Sequence, residues 1–143
     1  PMARHVVEVA RTCLELGIAA AQPNKRLGDI GHAIQQYAES KGCSVVRDYT
    51  GHGIGRVFHG PPSVPHHGLP GRGTRLRPGM TFTIEPMINA GRYDVKILND
   101  GWTAVTRDKS LSAQFEHSLG VTADGYEVFT ESPTGLHKPP YAD

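Results

Sequence analysis

Apolar residues recur at helical spacing from the first residues onward. Val6, Val9, Ala10, Cys13, Leu14, Ile18 and Ala21 share one face of a 3.6-residue repeat. That predicts an amphipathic helix over about residues 3–21, ended by Pro23 and Asn24. No capping residue stands ahead of Val6, so the pattern reads as a helix cut from a longer chain. Leu27, Ile30, Ile34, Tyr37 and Ala38 predict a second helix over about 27–41, with Gly42 as the left-handed residue that closes it. The period then drops to two. Residues 44–47 read as a short strand. Phe82 and Ile84 alternate with Thr81, Thr83 and Glu85, which puts Glu85 on a polar face. Residues 93–98 and 102–106 flank Asn99-Asp100-Gly101, a hairpin signal. Ala113, Phe115, His117, Leu119 and Val121 alternate with Ser112, Gln114, Glu116, Ser118 and Gly120. Residues 112–121 thus read as one strand with Glu116 turned from the apolar side, and 126–130 as the last strand. Residues 60–79, dense in Pro and Gly, read as a surface loop. The tail, 131–143, reads as loose.

Helices first and strands after make an α+β domain. With 143 residues it is long enough for one sizeable core. Charge is nearly balanced, 15 Lys and Arg against 14 Asp and Glu, and no basic block argues for nucleic acid. No apolar run is long enough to span a membrane. Pro1-Met2-Ala3-Arg4-His5 lacks the apolar segment of a signal peptide. Cys13 and Cys43 read as reduced thiols of a cytoplasmic protein rather than a disulfide. His5, His32 and His137 sit in no motif and read as ordinary surface residues.

The chemistry gathers in three stretches. In Thr50-Gly51-His52-Gly53-Ile54-Gly55-Arg56-Val57-Phe58-His59, glycines surround the first histidine. They are expected to let the backbone take positive φ and approach a ligand closely. A ring nitrogen held there can face a metal. Thr83-Ile84-Glu85-Pro86 and Gln114-Phe115-Glu116-His117 each add a carboxylate. Singly, each Glu reads as a solvated strand face. Jointly with the histidines they form a mixed N/O set suited to Mn, Fe, Co or Zn.

These motifs, with Pro78-Gly79-Met80-Thr81-Phe82, Asp100-Gly101-Trp102-Thr103 and Ser112-Ala113, resemble the C-terminal half of a type I methionine aminopeptidase. The likeness runs to about residue 130, which makes 1–130 that half and 131–143 a tail. It implies one half of a pita-bread fold, two helices packed on a curved antiparallel sheet. It implies removal of N-terminal methionine from nascent chains and peptides, in the cytoplasm, with divalent metal ions. By position, His52 and Glu85 correspond to ligands of one metal, Glu116 to a bridging ligand, and Glu85 also to the general base. His59 would hydrogen-bond the substrate backbone, and Phe58 and Trp102 would line the methionine pocket. Thr50 stands where many bacterial relatives carry Cys, at the pocket mouth. His66 is left between the substrate cleft and an exposed loop. Proline-directed relatives usually follow Ile-Glu-Pro with Gly, whereas Met87 follows here.

The family uses two further Asp ligands from its other half, and Asp94, Asp100 and Asp108 match other segments. Three ligands should therefore hold at most one metal ion weakly, and the chain is expected to be inactive alone. An open sheet edge should recruit the missing half or a second copy. The competing readings are a non-catalytic pita-bread module that binds peptide or protein, and a proline-directed metallopeptidase.

Overall fold

The computed structural model describes residues 1–136. Helix α1 (Met2–Ala19) buries Val6, Val9, Ala10, Cys13, Leu14, Gly17 and Ile18, the face the apolar spacing predicts. Helix α2 (Leu27–Ser40) crosses it closely. A Cβ on Gly17 would lie 2.8 Å from Ile34 Cδ1, so the small residue sets the approach. At the start of α2, the Asp29 carboxylate accepts the Arg26 N–H at 2.7 Å and the Gly71 N–H at 2.9 Å. Gly42 ends α2 at φ 73°, as expected. Cys13 and Cys43 are both free and buried, and burial pushes the Cys13 thiol up to about 12. No helix among the described residues is long and apolar enough to cross a membrane.

The strands are antiparallel throughout, as one half of a pita-bread fold requires. They form three antiparallel ladders. One joins β1 (Ser44–Val45), β5 (Met87–Asn89) and β8 (Ser112–Gln114) in the order β1-β5-β8. A five-stranded sheet joins β2 (Gly51–Gly53), β3 (Gly60–Val64), β4 (Thr81–Ile84), β9 (His117–Val121) and β10 (Tyr126–Val128) in the order β10-β9-β4-β2-β3. The predicted hairpin is β6 (Val95–Ile97) with β7 (Ala104–Thr106), turning at Gly101 with φ 70°. The helices cover the sheets through Ile84, Ile88, Phe82 and Leu119, all fully buried.

Three expectations from local pattern are corrected. Residues 112–121 are two strands in two different sheets, split at Phe115-Glu116. Residues 60–79 are no solvent loop throughout: β3 opens them, and Val64, His66 and Leu76 are buried. The polar face of β4 is covered too, since Thr83 is 2 % exposed. Alternation marks which residues share a face, but a neighbouring strand or loop decides whether that face meets water. Of the tail, 131–136 are described; the rest, with His137, lies outside the described residues.

Candidate metal centre

The two acidic residues stand where the chain changes sheet. Strand β4 pairs with β9 up to Ile84↔His117, and β5 pairs with β8 from Met87↔Gln114. Two residues lie between those pairs on each side, Glu85-Pro86 and Phe115-Glu116. The register thus keeps Glu85 opposite Glu116. Pro86 has no N–H to offer a ladder, which suits it to this break. His52 comes in from β2, the neighbour of β4.

Ligand-capable atoms of His52, Glu85 and Glu116 all lie within 4.8 Å of one another. His52 Nε2 is 3.6 Å from Glu85 Oε1. The other ring nitrogen, Nδ1, donates to the Gly53 carbonyl at 3.1 Å. A neutral ring so bonded keeps its proton on Nδ1 and turns the Nε2 lone pair toward the carboxylates, the tautomer a metal requires. Thr83, on the same face of β4 as Glu85, ties the pair together. Its hydroxyl accepts the His52 N–H at 3.0 Å and donates to Glu85 Oε1 at 3.1 Å. Desolvation and then the Glu116 charge push the Glu85 carboxyl up, against the Thr83 hydrogen bond and His52. Two carboxylates and an imidazole lone pair, gathered in a half-buried site, are a donor set that a divalent cation fits.

The glycines around His52 work differently from the expectation. Gly51, Gly53 and Gly55 are not in the left-handed region. Gly51 and Gly53 are small because strands pass close by. A Cβ on Gly51 would sit 2.2 Å from the Thr83 carbonyl oxygen, and one on Gly53 1.9 Å from that of Pro61. Gly53→Ala is expected to cost about 1–3 kcal/mol by forcing β2 from β3, measured as a fall in the urea midpoint.

Beyond β2, the rings of His52, Phe58 and His59 cluster. His59 lies 4.4 Å from both His52 and Phe58, and Phe58 lies 5.7 Å from His52, centroid to centroid. His59 and Phe58 therefore flank the candidate ligands, although Phe58 remains 74 % exposed. Thr50 is half-buried just ahead of β2. Trp102 is 86 % exposed in the β6–β7 turn, within the described residues. The hairpin carboxylates serve turns: Asp100 accepts the Trp102 and Thr103 N–H groups, and Asp108 those of Arg92 and Ser110.

His66 is no exposed loop residue. It is 1 % exposed, and its Nε2 accepts the Glu85 N–H at 3.0 Å. Burial pushes its imidazole down to about 4, so near neutral pH the ring carries one proton, on Nδ1. Gln114, which sequence reasoning assigned no role, donates from Nε2 to the Glu85 carbonyl at 3.0 Å. The signal for Thr83 was its place two residues before Glu85 on one strand face. His66 was a candidate, but no local signal marks its bond to Glu85 or that of Gln114, made across 19 and 29 residues.

The profile of metallopeptidase family M24 matches residues 1–123. The chain is 57% identical over 130 residues to methionine aminopeptidase A of Synechocystis sp., covering 91% of this chain and 51% of that protein. It is 58% identical to the methionine aminopeptidase of Rickettsia prowazekii, covering 96% of this chain and 54% of the other. The crystal structure of the Rickettsia enzyme superposes with a TM-score of 0.86 at 57% identity, over 87% of this chain and 51% of that one. The prolidase of Pyrococcus furiosus, at 21% identity and a TM-score of 0.63 over 90% of this chain and 33% of its own, shares the fold. The chain spans about half the length of these two curated relatives, the Synechocystis and Rickettsia proteins.

Proposed function

The chain belongs to metallopeptidase family M24 and has one half of the pita-bread fold, and from that premise we propose that it carries three of the metal ligands of an aminopeptidase that removes N-terminal methionine. The observation that carries the reading is the convergence of His52, Glu85 and Glu116 within 4.8 Å. These three would hold a divalent cation, Co, Mn, Fe or Zn. Such an ion supplies electrophilic polarisation of a carbonyl and acidified water. Glu85, desolvated and beside Glu116, would serve as the proton acceptor at such a site. His59, whose ring lies 4.4 Å from that of His52 at a tilt of 60°, would donate to the substrate amide. Phe58, Thr50 and Trp102 would form part of the pocket for an unbranched thioether side chain, Phe58 from beside His59 and Trp102 from the hairpin. The partners are methionyl peptides or nascent chains in the cytoplasm, and the complementary half of the fold or a second copy. Strand β8 pairs only with β5 among the described residues, which leaves an edge for that docking.

A metal-free binding module is the weaker reading, because the N/O/O donor set is intact. A proline-directed peptidase is weaker too. The relatives at 57–58% identity are methionine aminopeptidases, whereas the prolidase is at 21%. The test pairs this chain with the remaining half of the Rickettsia relative. Release from Met-Ala-Ser but not from an Xaa-Pro peptide supports the reading; the reverse preference overturns it. In the same assembly, His59→Ala is expected to lower turnover by about 10²-fold, as for loss of one oxyanion-type donor. Metal content measured by mass spectrometry should stay unchanged, and metal loss would contradict the substrate role.

A further inference from the structure

Glu85 stands at a break in the strand ladder, beside the other two candidate ligands. It lies outside both ladders, between the last pair of one and the first pair of the next, Ile84↔His117 and Met87↔Gln114. Buried or half-buried main-chain groups without partners are costly, so something must replace the ladder. Two side chains do. His66 Nε2, from the segment after β3, takes the N–H at 3.0 Å, and Gln114 Nε2, from the end of β8, takes the carbonyl at 3.0 Å.

We infer that His66 and Gln114 are positioning residues, a two-sided clamp on the Glu85 main chain that sets how tightly the His52–Glu85–Glu116 cluster binds a divalent cation. The inference rests on the metal-centre reading above and goes beyond it, since neither residue offers a ligand atom to that cluster. The two arms differ in kind. His66 is buried and comes from a segment distant in sequence, while Gln114 is exposed and sits on the opposing strand. With both in place, the Glu85 backbone is pinned along its hydrogen-bonding axis. Thr83 then fixes the carboxylate itself, through Oε1. The lone pairs aimed at the cation are thereby pre-set rather than ordered on binding, the role that groups behind metal ligands play elsewhere.

The test is Co²⁺ titration of the 143-residue chain, read by visible absorption, together with amide hydrogen exchange at Glu85. His66→Phe keeps a ring and removes the acceptor. His66→Gln returns an acceptor at a similar reach. Gln114→Met removes the donor from the exposed side. His66→Phe and Gln114→Met are each expected to weaken Co²⁺ binding by about 10–100-fold, and His66→Gln to recover most of that loss. Protection of the Glu85 amide should vanish in His66→Phe and return in His66→Gln. A folded His66→Phe chain with parental Co²⁺ affinity would reduce His66 to core packing and overturn the clamp. If His66→Phe does not fold, Gln114→Met decides, and unchanged affinity there overturns the proposal. If the parent chain takes up no Co²⁺, the metal-centre reading fails, and the clamp with it.

Discussion

The 143 residues by themselves are expected to release no methionine from Met-Ala-Ser, even with excess Mn²⁺ or Co²⁺. The reason is a donor count. Among the described residues, one cluster of three His, Cys, Asp or Glu side chains comes together, His52, Glu85 and Glu116. Three donors leave a cation with much of its shell still water and hold it weakly. They hold no second ion, and a two-ion site stabilises both the attacking and the leaving side of a hydrolysis. The other acids near the hairpin are spent on turns: Asp100 and Asp108 are held below the usual carboxylate range by side-chain hydroxyl and backbone N–H hydrogen bonds. Adding the remaining half of the Rickettsia relative is expected to restore turnover. Release by the chain alone at the rate of an ordinary enzyme, about 1–10³ s⁻¹, would refute the donor count.

Glu85→Gln, in that reconstituted assembly, is expected to lower turnover by about 10³–10⁴-fold, near the upper end of what one general base contributes. The substitution keeps shape and removes both a ligand charge and a proton acceptor. Metal content should fall with it, unlike His59→Ala. Stability should move the other way in the metal-free chain. Burial and Glu116 raise the folded-state pKa of Glu85. A raised carboxyl pKa means the charged form is disfavoured by folding. The penalty is absent below the unfolded-state pKa, grows as pH rises toward the folded value, and is full above it. At neutral pH the Gln variant should therefore unfold at equal or higher urea than the parent. A marked loss of stability would mean that Glu85 is a structural residue whose loss unfolds the site.

Both helices were legible in the sequence, because their apolar stripes face a core formed by any sheet laid against them. The β6–β7 hairpin was legible from Asn99-Asp100-Gly101, since Gly101 supplies a positive φ that few other residues tolerate. His52, Glu85 and Glu116 were legible as a donor set from residue type and from family likeness. That they meet was decided only in three dimensions. Residues 112–121 keep an unbroken alternation while the chain leaves one sheet for another at Phe115-Glu116. A period of two records which side a residue faces, not which strand it pairs with. The same limit hid the buried face of β4, the buried loop carrying His66, and the exposure of Trp102. Gln114 escaped, and the contact His66 makes with Glu85 escaped too, for a related reason: a side chain that binds a distant main-chain group leaves no pattern of its own. By itself the sequence determined which residues could bind a metal and which faces are apolar, since those depend on side-chain chemistry and local period. Tertiary structure decided where the ladder breaks and what fills the break, because hydrogen-bond satisfaction is settled by neighbours 19 to 29 residues away.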